Sequence, residues 1–150
     1  AIMVHGRSFE QGHAGNVDTD MIRQVKEKFP GLVLANGGIQ TPQDAKTMLN
    51  VTGVDGVGIA RGSWGQPWIF RQTRELLETG QVAPVTTEEL KAAILRHASL
   101  LLEHKGPHGL IEFRKHFAHF ISGRPGAAQM RAAAVRVSTL DDVRQLVAQL

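Results

Sequence analysis

The chain has 150 residues, with 17 Lys plus Arg against 14 Asp plus Glu, seven His and no Cys. A 42% hydrophobic and 21% charged composition is that of a globular chain and excludes a disordered one. Without Cys these residues supply no disulfide, zinc–thiolate site or thiol catalyst, and no apolar run nears the roughly 18–20 residues of a membrane span.

Residues 1–4 form a short apolar run that ends at His5-Gly6-Arg7. It reads as a buried strand followed by a loop. A core strand at the first residue predicts that the chain is part of a longer one. Asp18 or Asp20 caps a helix through about Phe29, with Ile22, Val25 and Phe29 on one face. Pro30-Gly31 stops it. Leu32-Val33-Leu34-Ala35 is a second apolar strand, closed by Asn36-Gly37-Gly38. Thr41 caps the next helix, with Pro42 at its first position and Asp44 completing a capping-box pattern. Gly53 ends that helix. Val57-Gly58-Ile59-Ala60 is a third strand, closed by Arg61-Gly62, and Pro67 opens a helix to about Glu78. Strands separated by helices predict right-handed crossovers and a parallel sheet. Such continuous apolar strands suit burial on both faces. Part of an eight-stranded (β/α) barrel and a small doubly wound sheet both fit, but three strands are too few to close a barrel.

The character changes near residue 83, where Val82-Ala83-Pro84 reads as a linker. Thr86 or Thr87 caps a helix with Leu90, Ile94, Leu101 and Leu102 on a common face. Residues 105–109 read as a loop with two Gly and a Pro. A helix over about residues 110–122 carries Phe113, Phe117, Phe120 and Ile121. Gly123-Arg124-Pro125-Gly126 is a turn, and helices near 127–135 and 140–150 follow, the last capped by Ser138 or Thr139. The predicted division is therefore 1–83, alternating strand and helix, and 84–150, all helical. Residues 1–83 have eight basic and eight acidic side chains, whereas 84–150 have nine and six. The whole excess of positive charge falls in the helical part.

Glycine-bearing turns at the C-terminal ends of consecutive parallel strands suit phosphate, because backbone N–H groups approach its oxygens closely there. Asn36-Gly37-Gly38 and Ala60-Arg61-Gly62 are two such turns, and Arg61 adds a charged fork. His5 ends the first strand on the same face, either as a cofactor contact or as a satisfied structural residue. Arg7 contacts phosphate or only solvent. Arg114 and Lys115 point away from the Phe113, Phe117 and Phe120 stripe, with Arg124 and Arg131 nearby. They read as RNA-phosphate contacts or as ordinary surface charge. His104/His108 and His116/His119 have chelating spacings, but the first pair straddles a Gly-Pro break and the second lacks an evident third ligand. No metal site is expected.

Taken together, Val4-His5-Gly6-Arg7, Gln11, Gly15, Asn36-Gly37-Gly38-Ile39, Gly56 through Arg61-Gly62, Pro67-Trp68-Ile69-Phe70 and Arg114-Lys115-His116 resemble the C-terminal half of tRNA-dihydrouridine synthases. The likeness is nearest to their bacterial B-type branch and covers essentially the whole chain. It implies an α/β fold: about three strands from the C-terminal part of a (β/α)8 TIM barrel, then an all-helical domain. It implies a cytoplasmic flavoprotein that reduces tRNA uridine to 5,6-dihydrouridine with FMN and NADPH. His5, Asn36, Gly37, Gly38, Ala60 and Arg61 would hold FMN, while Arg7, Arg114, Lys115, Arg124 and Arg131 would meet tRNA. The family's proton-donor Cys and an FMN-holding Lys lie in its N-terminal half. No catalytic residue is therefore expected here, and the chain alone is expected to be inactive. The chain departs from the family pattern at several places: Ala60 for Gly, Gly38 for Asp, His13 and Thr19 for aromatics, and Phe117 and Phe120 near a Trp-Tyr pair. Ala60 is tolerable only with a negative φ. Another FMN- or sugar-phosphate-binding barrel enzyme and a non-catalytic RNA-binding module are the alternatives.

Overall fold

The computed structural model describes residues 1–12 and 14–150, so the His13 departure lies outside the described residues. The chain divides into two compact units. One comprises Ala1–Ser63 with Trp68–Ala83, and the other Trp64–Pro67 with Pro84–Leu150.

In the first unit, strands β1 (Ile2–His5), β2 (Val33–Asn36) and β3 (Gly56–Gly58) form a parallel sheet in sequential order. Helix α1 (Thr19–Lys28) joins the first two strands and α2 (Pro42–Thr52) the next two. A 3-10 turn (Arg61–Ser63) and helix α3 (Ile69–Thr79) follow. The expected caps form. Asp18 accepts from the Met21 N–H, and Thr41 and Asp44 make a reciprocal capping box. The second strand shifts by one residue, to Val33–Asn36, the third starts at Gly56, and two other boundaries move. The third strand ends at Gly58 rather than Ala60, because its ladder with β2 stops at Asn36↔Gly58. Beyond that pair, Gly37 and Gly38 turn away at φ 110° and 74° and leave Ile59 without a partner strand on that side. The last helix of the unit starts at Ile69, two residues after Pro67.

Ile22, Val33, Ala35, Ala45 and Met48 form the buried core, with Ile2, Val4 and Val57 packed against it. All three strands thus put one face onto α1 and α2. The opposite face carries Met3, 57% exposed, and the exposed His5, with Leu34 and Asn36 half-buried. Burial of both sheet faces was the expectation, and within this unit only one face is covered. At the other end of the strands, Asp55 ties the unit together. Its carboxylate accepts from Lys26 Nζ at 2.7 Å and from the Val33 N–H at 2.8 Å. Those bonds hold its pKa below the usual carboxylate range.

The second unit is built from α4 (Thr87–Lys105), α5 (Pro107–Phe120), α6 (Ala127–Ala134) and α7 (Leu140–Val147). Its core takes Leu90, Ile94 and Ala98 from α4, Phe113, Phe117 and Phe120 from α5, Met130 from α6 and Val143 from α7. Ala98 takes the inward position, four residues after Ile94, while Leu101 and Leu102 are half-buried. The expected loop at 105–109 contracts to one residue, Gly106, at φ 61°. Pro107 then occupies the first turn of α5, where its missing N–H costs nothing. Gly109 lies inside that helix and is buried. A Cβ there would collide with the Leu101 carbonyl oxygen, so the glycine lets α4 and α5 approach closely. Thr139 caps α7 in a second reciprocal box, and Asp142 accepts from the Ser138 and Thr139 N–H groups. These bonds pull the Asp142 pKa down to about 2. Among the described residues no helix is long and apolar enough to cross a membrane.

Candidate functional site

The register of the sheet places His5, Asn36 and Gly58 side by side at the C-terminal ends of the three strands. The turns that follow therefore share one edge. Gly37 and Gly38 both have positive φ, a conformation that L side chains rarely adopt. A Cβ on Gly37 would lie 3.1 Å from His5 Nε2, so the imidazole rests against the backbone of that turn. Gly58 clears space in the same row. A Cβ there would stand 2.9 Å from Asn36 Nδ2, which instead reaches Met3 Sδ at 3.4 Å.

The second turn is locked onto the first through Gly62. It is buried, and a Cβ on it would collide with the Ile39 carbonyl oxygen. Ser63 closes the 3-10 turn by donating from both N–H and Oγ to the Ala60 carbonyl, at 2.9 and 2.8 Å. Ala60 and Arg61 are exposed. No described non-glycine residue has positive φ, so the methyl of Ala60 is accommodated without strain. The structure thus brings His5, Asn36, Gly37, Gly38, Ala60 and Arg61 to one edge of the sheet. Gly37 and Gly38 allow close approach of an anion, and exposed Arg61 carries positive charge on the neighbouring turn. Arg7 folds back instead of reaching outward. Its Nε donates to the Gly15 carbonyl at 3.0 Å.

In the helical unit the cations differ in their freedom. Arg114 donates from Nε and Nη2 to the carbonyl of buried Val137, at 2.9 and 2.7 Å. It clamps the link between α6 and α7. Lys115 and Arg131 are exposed, and Arg124 is half-buried with its Nε 3.4 Å from the Phe120 carbonyl. Sequence spacing placed Arg114 outside the Phe stripe, and no local signal revealed its carbonyl partner 23 residues away.

The histidines make a cluster that sequence reading did not assemble. His97 of α4 lies 4.7 Å from His116 of α5, ring centre to ring centre, and edge-on to Phe113 and Phe120. His119 packs at 5.2 Å against Trp64. Burial lowers the pKa of His97. Burial, then the neighbouring His97, Lys115 and His119, lower that of His116, with Glu112 opposing. Folding therefore disfavours their protonation, while the unfolded chain takes up protons near pH 6.5. Stability is full above that pH and is lost as pH falls toward the depressed folded values. The expected result is a lower melting temperature at pH 5.5 than at pH 7.5, with a smaller difference in His97→Phe. An equal difference in that variant contradicts the assignment. Among the described residues no group of three or more His, Asp or Glu is placed to hold a metal.

The profile of the dihydrouridine synthase (Dus) family matches residues 1–150. The chain is 37% identical to a probable tRNA-dihydrouridine synthase of Mycobacterium leprae, an alignment covering 100% of this chain and 40% of that protein. It is 35% identical to tRNA-dihydrouridine synthase B of Shewanella oneidensis, over 98% of this chain and 46% of the relative. A probable tRNA-dihydrouridine synthase of Rickettsia conorii is 36% identical, over 99% and 45%. The chain belongs to the dihydrouridine synthase family. It spans less than half the length of these curated relatives.

Proposed function

We propose that the chain contributes the cofactor-phosphate cup and the RNA-docking domain of a flavin-dependent tRNA-dihydrouridine synthase. In this reading residues 1–83 are the C-terminal portion of an FMN-binding TIM barrel and 84–150 a tRNA-binding domain. Sequential parallel strands with helices on one face suit a barrel wall, and the open face bearing Met3, His5, Leu34 and Asn36 is then its interior.

The observation that carries the reading is the shared edge at which His5, Asn36 and the Gly37-Gly38 turn meet the loop of Ala60 and Arg61, locked by Gly62. The residues fit a phosphate-bearing flavin. Two adjacent positive-φ glycines expose backbone in a turn against which the His5 imidazole rests, and a charged fork stands on the neighbouring turn. His5, Asn36, Gly37, Gly38, Ala60 and Arg61 would hold the phosphate and ribityl chain of FMN. Gly38 offers backbone only, so no carboxylate reaches the ribityl hydroxyls from that position. When bound and reduced by NADPH, FMN supplies the hydride that saturates the uracil C5–C6 bond. The residues of this chain anchor the anionic end and so orient the ring. They hold no thiol, so the family's cysteine proton donor comes from elsewhere in the parent protein, and the chain alone is inactive. A target uridine must leave its stack to reach a flavin. Lys115, Arg124 and Arg131 would steady the surrounding RNA through its phosphates.

The test compares FMN with riboflavin, which lacks the phosphate, in the full-length protein by flavin fluorescence. Arg61→Ala is expected to weaken FMN binding about tenfold, as loss of a charge-assisted hydrogen bond does, and to leave riboflavin unchanged. Unchanged FMN affinity would sink the phosphate assignment.

A further inference from the structure

A cleft of about 350 Å³ opens beside the Gly37-Gly38 turn, on the flank formed by the loop after β1 and by α2. Arg7, Gly15, Asn16, Gly38, Asp44 and Thr47 contribute to its lining, whereas His5, Asn36, Ala60 and Arg61 do not. It adjoins the edge described above and shares Gly37 and Gly38 with it.

The guanidinium of Arg7 is held in this cleft in an incomplete state. Nε is bonded to the Gly15 carbonyl, and Nη2 lies 3.9 Å from where a Gly38 Cβ would stand. Nη1 is shielded from solvent and has no acceptor among the described residues. Arginine cannot shed its charge, so a buried N–H of this kind carries an uncompensated desolvation cost. The carboxylate in the lining, that of Asp44, is engaged elsewhere. Asp44 turns Oδ2 to the backbone N–H groups of Gln40 and Thr41, at 3.0 and 2.8 Å. Among the described residues nothing supplies that acceptor, and a group from beyond them would complete it. An anion would match the charge of the guanidinium as well as its free N–H.

We propose that this cleft is a second phosphate-binding site, in which Arg7 Nη1 donates to a phosphate oxygen. The phosphate is that of a nucleotide or of an RNA backbone, chemically equivalent at this contact. The site does not depend on FMN occupying the cup at Arg61.

The test titrates the full-length protein with inorganic phosphate, with FMN and with a short single-stranded RNA, followed by backbone amide and arginine Nε–H resonances. Inorganic phosphate is expected to shift the Arg7 Nε–H and the Gly15 and Gly38 amides. Arg7→Gln is expected to weaken that binding about tenfold, and Arg61→Ala to leave it unchanged. Competition by RNA assigns the phosphate to a backbone, and competition by FMN assigns it to a nucleotide. Should Arg7→Gln lose its fold, Arg7→Lys decides. It keeps the charge but cannot serve both Gly15 and a phosphate, so a severalfold loss is expected. Phosphate-induced shifts of the Gly15 amide that are as large and as tight in Arg7→Gln and Arg7→Lys as in the unaltered protein, or that vanish in Arg61→Ala, overturn the proposal. The latter result would leave the FMN reading standing with a single cup. Conversely, phosphate binding at Arg7 with no FMN binding at Arg61 supports this site and rejects the cofactor reading.

Discussion

Gly62→Ala is expected to destabilise the first unit by about 3 kcal/mol and to lower FMN affinity more than tenfold. A Cβ at this position meets the Ile39 carbonyl oxygen, and behind it Gln40 Cα at 3.1 Å. Both obstacles are backbone, so no side chain can swing aside. Relief requires the turn after β2 and the turn after β3 to separate. Those turns carry Gly37, Gly38, Ala60 and Arg61, and their spacing is what a phosphate between them would read. The matching control is Gly53→Ala, where φ is 67° but nothing lies within 4 Å of an added Cβ. That change strains the backbone locally, by about 1 kcal/mol, and leaves the turns in place. Thermal melting and FMN titration of the two variants separate misplaced turns from a general loss of stability. Equal FMN affinity in Gly62→Ala and the unaltered protein would show that the two turns do not act together.

The second large effect is expected at Arg114. Arg114→Ala removes both donors from the carbonyl of Val137, whose residue is only 3% exposed. An unsatisfied buried acceptor costs about 1–3 kcal/mol, so a loss near 2 kcal/mol is expected in urea unfolding. The same carbonyl lies between Arg131 on α6 and the Thr139 cap of α7, so releasing it loosens the placement of Arg131. RNA affinity should therefore fall while the slope of log K against log salt stays nearly constant. Lys115→Ala should do the reverse. Its side chain is exposed, so stability changes by less than about 0.5 kcal/mol while the salt slope drops by about one. A reduced slope in Arg114→Ala would mean that its guanidinium meets RNA phosphate directly, whatever bond it makes in the free protein.

These two positions mark where sequence reading reached its limit. Local chemistry was legible. Thr41 with Asp44 caps its helix as side-chain type and spacing require, and of the paired candidates Asp18 and Thr139 are the caps, whereas the second box completed by Asp142 was not read. The apolar runs became parallel strands, and the family pattern was readable from strand-end motifs. What depends on distant partners was not legible. Residues 105–109 looked like a loop because Gly and Pro cluster there, yet Pro107 suits a first helical turn and Gly109 is selected by the carbonyl of Leu101. Ile59 and Ala60 looked like strand because they are apolar, but a strand lasts only while its neighbour does, and β2 ends at Asn36. Arg7 and Arg114 looked alike as basic residues near candidate interfaces. One carries a donor with no acceptor among the described residues, and the other makes a two-donor clamp on a carbonyl. Charge is visible in a sequence, while the acceptor that uses it is set by tertiary contact.

The most direct test of the central claim is the dihydrouridine content of tRNA. Transfer RNA from cells carrying the intact gene for this chain is compared, by mass spectrometry, with tRNA from cells in which the gene is disrupted. The account predicts loss of dihydrouridine from at least one tRNA position, restored by the intact gene and restored poorly by a copy carrying Gly62→Ala. Unchanged dihydrouridine at every position after disruption would contradict it.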